Sequence, residues 1–371
     1  MSAIPSAPSG AASASRAAAF GAIHCGVDAR QFAANLQTEV VLLEAGGYRF
    51  PVTVNDGERG NAWVCSPSTT YCDYAREELE RHLPRVGMPL GLVCRAYGRV
   101  FERVGFDRAV ALNNWLLSTN IYPPLDPAWL DALVLQARRR WPGHALWFRS
   151  LNGRLNRDWM DALAARGFRL VPSRQVYLFD DPAALAARHR DLRRDLRLLR
   201  TTALAGTDGS DFTPDDYRRA EVLYARLYLE KYSMLNPRYS ARFIERWHAA
   251  RLLQLRGFRD GAGTLQAVVG LFAQDGVLTA PLVGYDTALP QSLGLYRLLM
   301  ASVFEEAMAS GATVNLSAGA AHFKRLRGGV PAIEYSAVLA GHMPPAMRRT
   351  LATLGAIATG LGVPIMRRFQ L

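Results

Sequence analysis

The chain has 371 residues, half of them apolar and a fifth charged, which is enough to bury a large core and excludes a disordered or fibrous protein. Its 44 Lys and Arg against 32 Asp and Glu give a formal charge of +12, which favours an anionic partner without choosing one. Four cysteines, Cys25, Cys65, Cys72 and Cys94, form no CxxC pair and have no histidine at zinc-ligand spacing. Reduced thiols, no metal and a cytoplasmic location are expected.

In chain order, residues 1–19 are almost entirely Ala, Ser, Gly and Pro without a basic start, which predicts a disordered tail and no export signal. Residues 39–45 and 49–53, separated by Gly46-Gly47, read as a hairpin. Residues 73–86 carry Tyr74, Leu79 and Leu83 at helical spacing, and 90–97 fit either a strand or a helix. Two strand-like stretches, 110–120 and 145–152, are loaded with amides and hydroxyls, which either form turns or line a polar substrate wall. Between them 127–140 is an amphipathic helix; 160–166 is a second helix and 175–179 a strand.

Residues 183–200 predict a lopsided helix, with Arg190, Arg193, Arg194, Arg197 and Arg200 opposite Leu192, Leu196 and Leu199. That face is a solvated surface or a landing strip for an acidic carrier or phosphate chain. Thr213-Pro214-Asp215-Asp216 is a strong helix start, predicting a helix to about Tyr232, and another helix spans 240–250. Strands follow at 252–258, 264–274 and 278–284, the last two joined by Asp275-Gly276; then come a helix at 293–310, a strand at 313–317, a short helix at 321–326 and a strand at 333–339. The apolar run 351–366, flanked by Arg348-Arg349 and Arg367-Arg368, is too broken by glycines for a confident membrane span and predicts a helix docked on the protein or lying at a membrane interface.

This order, with the Leu- and Arg-rich segment 191–200, the helix end at Leu229-Glu230-Lys231-Tyr232-Ser233, Asn236-Pro237, Gly284-Tyr285-Asp286 and Phe323-Lys324-Arg325, resembles the GNAT superfamily and, within it, the Fem-type aminoacyltransferases. The resemblance implies an α/β (α+β) fold with a mixed, mostly antiparallel sheet flanked by helices, in two tandem GNAT-like lobes. The lobes would be 20–182, degenerate, and 183–345, the acyltransferase, with 346–371 as the docking helix. It also implies an acyl-CoA or phosphopantetheine-linked acyl donor as co-substrate rather than a permanently bound cofactor.

The segment Gln291-Ser292-Leu293-Gly294-Leu295-Tyr296 resembles the GNAT pyrophosphate loop, in which backbone N–H groups at a helix start face an anion. Gln291, Ser292, Gly294, Leu295 and Tyr296 are therefore the donor-binding candidates, although Tyr296 stands where the loop ends in a small residue. That bulk would divert the donor to a carrier or a tRNA, or pack beneath the loop. A base and an acid are expected at strand ends: Asp286, Glu334 or His322 as base, and Tyr285 or Tyr335 as acid. Ser233, Asn315, Ser317, Lys324 and Arg325 are substrate-binding candidates.

Acyl transfer to an amine or hydroxyl is the favoured reading. The alternatives are aminoacyl transfer from tRNA, disfavoured by the absence of a long coiled-coil arm, and a non-catalytic binder. An acidic carrier protein and peripheral membrane contact fit the charge; DNA is not expected.

Overall fold

The computed structural model describes residues 9–83 and 87–370. Among them, eleven strands form one continuous sheet in the order β1-β2-β3-β4-β11-β5-β10-β9-β8-β7-β6. The strands are β1 (Glu39–Ala45), β2 (Tyr48–Asp56), β3 (Arg108–Leu112), β4 (Ala145–Asn152), β5 (Arg169–Phe179), β6 (Ala205–Thr207), β7 (Gln254–Arg259), β8 (Leu265–Gln274), β9 (Val277–Tyr285), β10 (Thr313–Asn315) and β11 (Val330–Leu339). The β3–β4 and β9–β10 pairs are parallel and every other pair is antiparallel, so the sheet is mixed and mostly antiparallel.

The two halves repeat one plan. An antiparallel meander ends in a strand (β3 or β9), and a helix (Pro127–Arg140 or Leu295–Ser310) returns the chain to a parallel neighbour (β4 or β10). A short helix (Arg157–Ala165 or Ala321–Leu326) then leads to a final strand (β5 or β11). The final strands change places. Strand β5, from the first half, pairs with β10, while β11, from the second, pairs with β4, and the two pair with each other. A sequence boundary near 182 therefore does not divide the sheet into independent units.

Local chemistry explains most elements. Asp126, Asp181, Thr213 and Ser240 cap helix starts with their side chains, and Thr213 with Asp216 closes a capping box. The lopsided helix is interrupted at His189, giving Pro182–Arg188 and Arg190–Thr201. Strand β3 ends at Leu112, short of the predicted 110–120 stretch, because the amides beyond it bond one another. Asn113 donates to the Ile121 carbonyl and accepts from the Trp115 indole, and Asn114 donates to Thr53 and to the Val64 carbonyl. These amides build a turn, as Asn commonly does.

One expectation is corrected and two are made definite. Within the predicted disordered tail, residues 9–19 belong to a helix, Ser9–His24, whose Ala17 and Phe20 are buried; residues 1–8 of that prediction lie outside the described residues. Residues 90–97 are helical within Gly87–Val104, and the 73–86 helix is realised as Thr69–Tyr74 and Ala75–His82, with 84–86 outside the described residues. The C-terminal helix, expected over 346–371, is a continuous run over Pro345–Phe369 that extends past both ends of the apolar stretch 351–366. Its Met347, Leu351 and Leu354 share a core with Phe101, Trp147 and Val171, each contributing about 1.5–3 kcal/mol by burial.

Candidate functional site

Strands β9 and β10 pair only at Thr313–Val277, Val314–Leu278 and Asn315–Thr279. Beyond Thr279 β9 continues to Tyr285, whereas the chain after Asn315 turns away at Ser317, whose φ of 59° is left-handed. The strands therefore splay. On the other side of β9 the register to β8 slips between Gly270 and Phe272, so that Ala280 and Pro281 have no register partners there. This bulge breaks the ladder where the strands part. Proline inside a predicted strand is the sequence signal that marks it.

The splay opens into a cavity of about 380 Å³ between the lobes. Ala280, Val283, Leu316 and Ser317 line it at the splay; Trp63, Ser118 and Arg174 line it from the first lobe; Tyr228, Tyr232 and Tyr296 supply phenols. Tyr228 lies on a π-helical turn, Ala225–Glu230, that continues Pro214–Tyr224, a distortion common at functional sites. That helix sits directly on β9, where a Cβ on Gly284 would come 2.5 Å from the Tyr224 amide nitrogen. Burial raises the Tyr228, Tyr232 and Tyr296 phenols, which keeps them protonated near neutral pH.

Arg174 anchors the first-lobe wall. It donates to Glu334 at 2.7 and 3.1 Å and to the Ser118 carbonyl, and lies over the Trp63 ring with Arg149, 4.8 and 4.9 Å from the ring centre. The Trp63 indole in turn donates to Asn236. Because Arg174 is on β5 and Glu334 on β11, this ion pair joins the two exchanged strands. Lys324 faces it across the cavity, with Nζ donating to the carbonyls of Leu316, Ser317 and Ala318 at 2.8, 3.2 and 2.7 Å. Those three bonds hold the strained turn that ends the splay.

Burial, and after it Arg174, push the Lys324 ammonium down to about 7. The unfolded chain keeps this proton to about pH 10.4, so between the two values the unfolded state binds more protons and stability rises with pH. The wild-type melting temperature is expected to climb between about pH 6 and about pH 9 more steeply than that of Lys324→Met. Parallel curves would show that Lys324 keeps an ordinary pKa.

The helix Leu295–Ser310 starts beside the splay. Its N-cap is Gly294, with φ 64° and no side-chain cap, so its first-turn N–H groups have no intrahelical acceptor and favour an anion. The matching helix of the first half, Pro127–Arg140, is capped by the Asp126 carboxylate, which occupies the Ala128 amide and would repel an anion. Of these two matching helix starts, the second-half one is free of a capping carboxylate. Tyr296 does not obstruct it: its ring packs inward on Phe323, 4.8 Å between centres, and faces the cavity. Leu198 of the arginine-rich helix comes within 2.8 Å of where a Gly294 Cβ would lie. Arg193, Arg197 and Arg200 are exposed on that helix. Asp195, missed in the sequence because it lies on the same helix as the arginines, is buried and bonds Arg297 at 2.6 Å and Arg327 at 2.5 Å.

The sequence-predicted residues divide accordingly. Tyr296, Ser317 and Lys324 line the cavity. Gln291 and Ser292 are exposed in a short 3₁₀ turn before the buried Gly294 and Leu295. Tyr285 borders the cavity through its contact with Tyr296, 6.3 Å between ring centres, and Glu334 reaches it through Arg174. Asp286 is drawn elsewhere. Burial acts to raise its carboxyl, but the Ala288 amide and the Arg219 and Arg226 guanidiniums hold it below the usual range. A carboxylate held this way is a weak proton acceptor. His322 and Arg325 are exposed and Tyr335 is partly buried; none of the three lines the cavity. Ser233 bonds Glu77 and the Leu235 amide, and Asn315 accepts from the Ser317 amide, so both serve turns. Trp63, Arg174 and Tyr228 were missed because nothing in their local sequence sets them apart.

Comparison with known proteins matches residues 186–325 to the family described as an acetyltransferase (GNAT) domain. No curated protein matches the chain. Among solved structures, L-PGS from Bacillus licheniformis is 13% identical, with 67% of this chain and 82% of that chain covered and a TM-score of 0.47. FemX is 10% identical, with 62% and 80% covered and a TM-score of 0.47. A tandem GNAT protein from the clavulanic acid biosynthesis pathway is 14% identical, with 64% and 76% covered and a TM-score of 0.37. These are distant likenesses.

Proposed function

We propose that the chain moves an acyl group from a thioester donor to an amine or hydroxyl acceptor bound between the lobes, a reading supported by the match of residues 186–325 to the acetyltransferase (GNAT) domain family. The donor is acyl-CoA or a carrier-linked phosphopantetheine. The observation that carries this reading is the continuity of the β9–β10 splay with the interlobe cavity, next to an uncapped helix start. A donor whose phosphates meet the amides of residues 295–297 has its thioester in the splay, facing an acceptor in the cavity.

The chemistry needs the acyl carbon to become tetrahedral, which places negative charge first on oxygen and then on the leaving sulfur. At the bulge, Ala280 offers backbone outside the β8 ladder for the oxygen. Attack by the acceptor forms the new C–N or C–O bond and collapse of the tetrahedral carbon breaks the C–S bond; Tyr296, whose phenol burial keeps protonated, gives its proton to the leaving thiolate and recovers the one that the acceptor loses. Glu334 and Lys324 act as positioning residues, the first through Arg174 and the second through the 316–318 carbonyls. The exposed arginines of the helix whose Leu198 packs beside Gly294 suit the remaining phosphate of CoA or an acidic carrier.

The test is calorimetry with acetyl-CoA on the wild type, Gly294→Ala and Gly294→Glu. Alanine tolerates the left-handed backbone poorly and is expected to cost about 1–2 kcal/mol of stability while keeping measurable affinity. Glutamate adds charge against the phosphates, and binding is expected to vanish with no greater loss of stability. Equal affinity in wild type and Gly294→Glu would remove this loop from the donor site. If the wild type ignores acetyl-CoA but shifts aminoacyl-tRNA in a gel, the tRNA-dependent alternative takes its place.

A further inference from the structure

We infer that the face formed by the helices Gly87–Val104 and Pro345–Phe369 docks on an anionic lipid bilayer, and that the apolar half of the interlobe cavity takes up one aliphatic chain from it. The second clause deepens the transferase reading by naming the substrate class; the first stands without it.

The two helices present large apolar side chains to solvent. Met88, Leu92 and Val93 are 68, 58 and 54% exposed on the first, and Ile357, Leu361 and Phe369 are 41, 48 and 48% exposed on the second. Scattered exposed side chains mean little, but Val93, Ile357 and Leu361 also line the cavity. The cavity therefore opens through the apolar patch. Away from the splay, the wall supplied by these two helices is aliphatic, from Leu90, Leu354, Ile365 and Met366, and the neighbouring helix Ala75–His82 adds Glu78, Arg81 and His82, of which Glu78 pairs with Arg81 at 2.9 Å. A chain entering between the two helices would run along their aliphatic side chains and end at the polar groups of Ser317 and Lys324. That polarity suits an amphiphile whose reactive end is its head.

The charge around the patch selects the surface. Arg95, Arg99 and Arg103 on one helix and Arg348, Arg349, Arg367 and Arg368 on the other are all exposed. The only carboxylate on either helix is Glu102, which pairs with Arg59 at 3.4 Å. Basic side chains around an inserted apolar face match an anionic bilayer, where both terms add. By length and composition Pro345–Phe369 could cross a membrane. Its Met347, Thr350, Leu351 and Leu354 are buried against the protein, however, so crossing would expose that core. Lying in the interface keeps those contacts and leaves the outer face for lipid.

The full chain should co-sediment with vesicles of phosphatidylcholine mixed with phosphatidylglycerol, and much less with phosphatidylcholine alone. The double variant Leu92→Glu/Leu361→Glu, exposed at both positions and checked by melting, should bind the mixed vesicles at least about tenfold more weakly, as should the wild type in high salt. Uptake is read separately, by titration with dansyl-undecanoic acid. Ala358→Trp, which fills the cavity wall, should weaken the probe about tenfold while vesicle binding persists, with Val93→Trp as a second filling variant. Docking is overturned if the wild type ignores the mixed vesicles, if the double variant binds them equally, or if the wild type is a dimer that the double variant dissolves, since a second copy would then cover the patch. Uptake is overturned if neither filling variant changes probe affinity. Neither readout needs turnover, so a failed acyl-transfer assay leaves both standing.

Discussion

Replacing Asp195 with alanine is expected to destabilise the chain by about 3–5 kcal/mol, the cost of leaving a buried charge without its partner. The Asp195 side chain is 1% exposed and that of Arg327 7%, and their contact is 2.5 Å. Without the carboxylate Arg327 keeps only the Phe323 carbonyl and the Phe323 ring, neither of which neutralises it. The same carboxylate holds Arg297, in the first turn of the helix that starts at Gly294, where we propose that the donor binds. Denaturant unfolding should therefore show the loss, and calorimetry should show weaker acetyl-CoA binding even where the variant is folded. Asp195→Asn, which keeps the shape and one acceptor, should lose less. A loss below about 1 kcal/mol for alanine would mean that the pair merely breaks even against solvation.

Tyr296→Phe is expected to fold as the wild type does, because the ring contacts with Phe323 and Tyr285 do not use the hydroxyl. Its kcat should fall by about 10²–10⁴-fold with little change in KM for the donor, the signature of a group that acts only in the transition state. A fall in donor affinity of the same size would instead make Tyr296 part of the binding surface. Wild-type turnover would move the proton donor to another tyrosine of the cavity, with Tyr228 and Tyr232 on the same lobe the first to test.

Much of this was legible locally. The hairpin at Gly46-Gly47, the helix start at Thr213, the Asp275-Gly276 turn and the order from 240 to 339 rest on turn chemistry, capping and periodicity, which act over a few residues. The helix start at Gly294 was legible because glycine before a helix is a local device. Asp286 was misread for the same reason. Its place at a strand end suggests a base, while its partners Arg219 and Arg226 are sixty or more positions away.

The sequence by itself determined most of the elements, the likeness of the second half to the GNAT family and the glycine that starts the helix at 295. Only the tertiary structure decided how the halves share their sheet. Which strand β5 or β11 pairs with depends on edges formed by distant segments, and strand patterning records burial rather than partner. From that exchange follow the Arg174–Glu334 pair across the lobes, the cavity beside the splay and the place of the C-terminal helix over its apolar end. None of these has a local signature, because each depends on contacts between residues far apart in the chain.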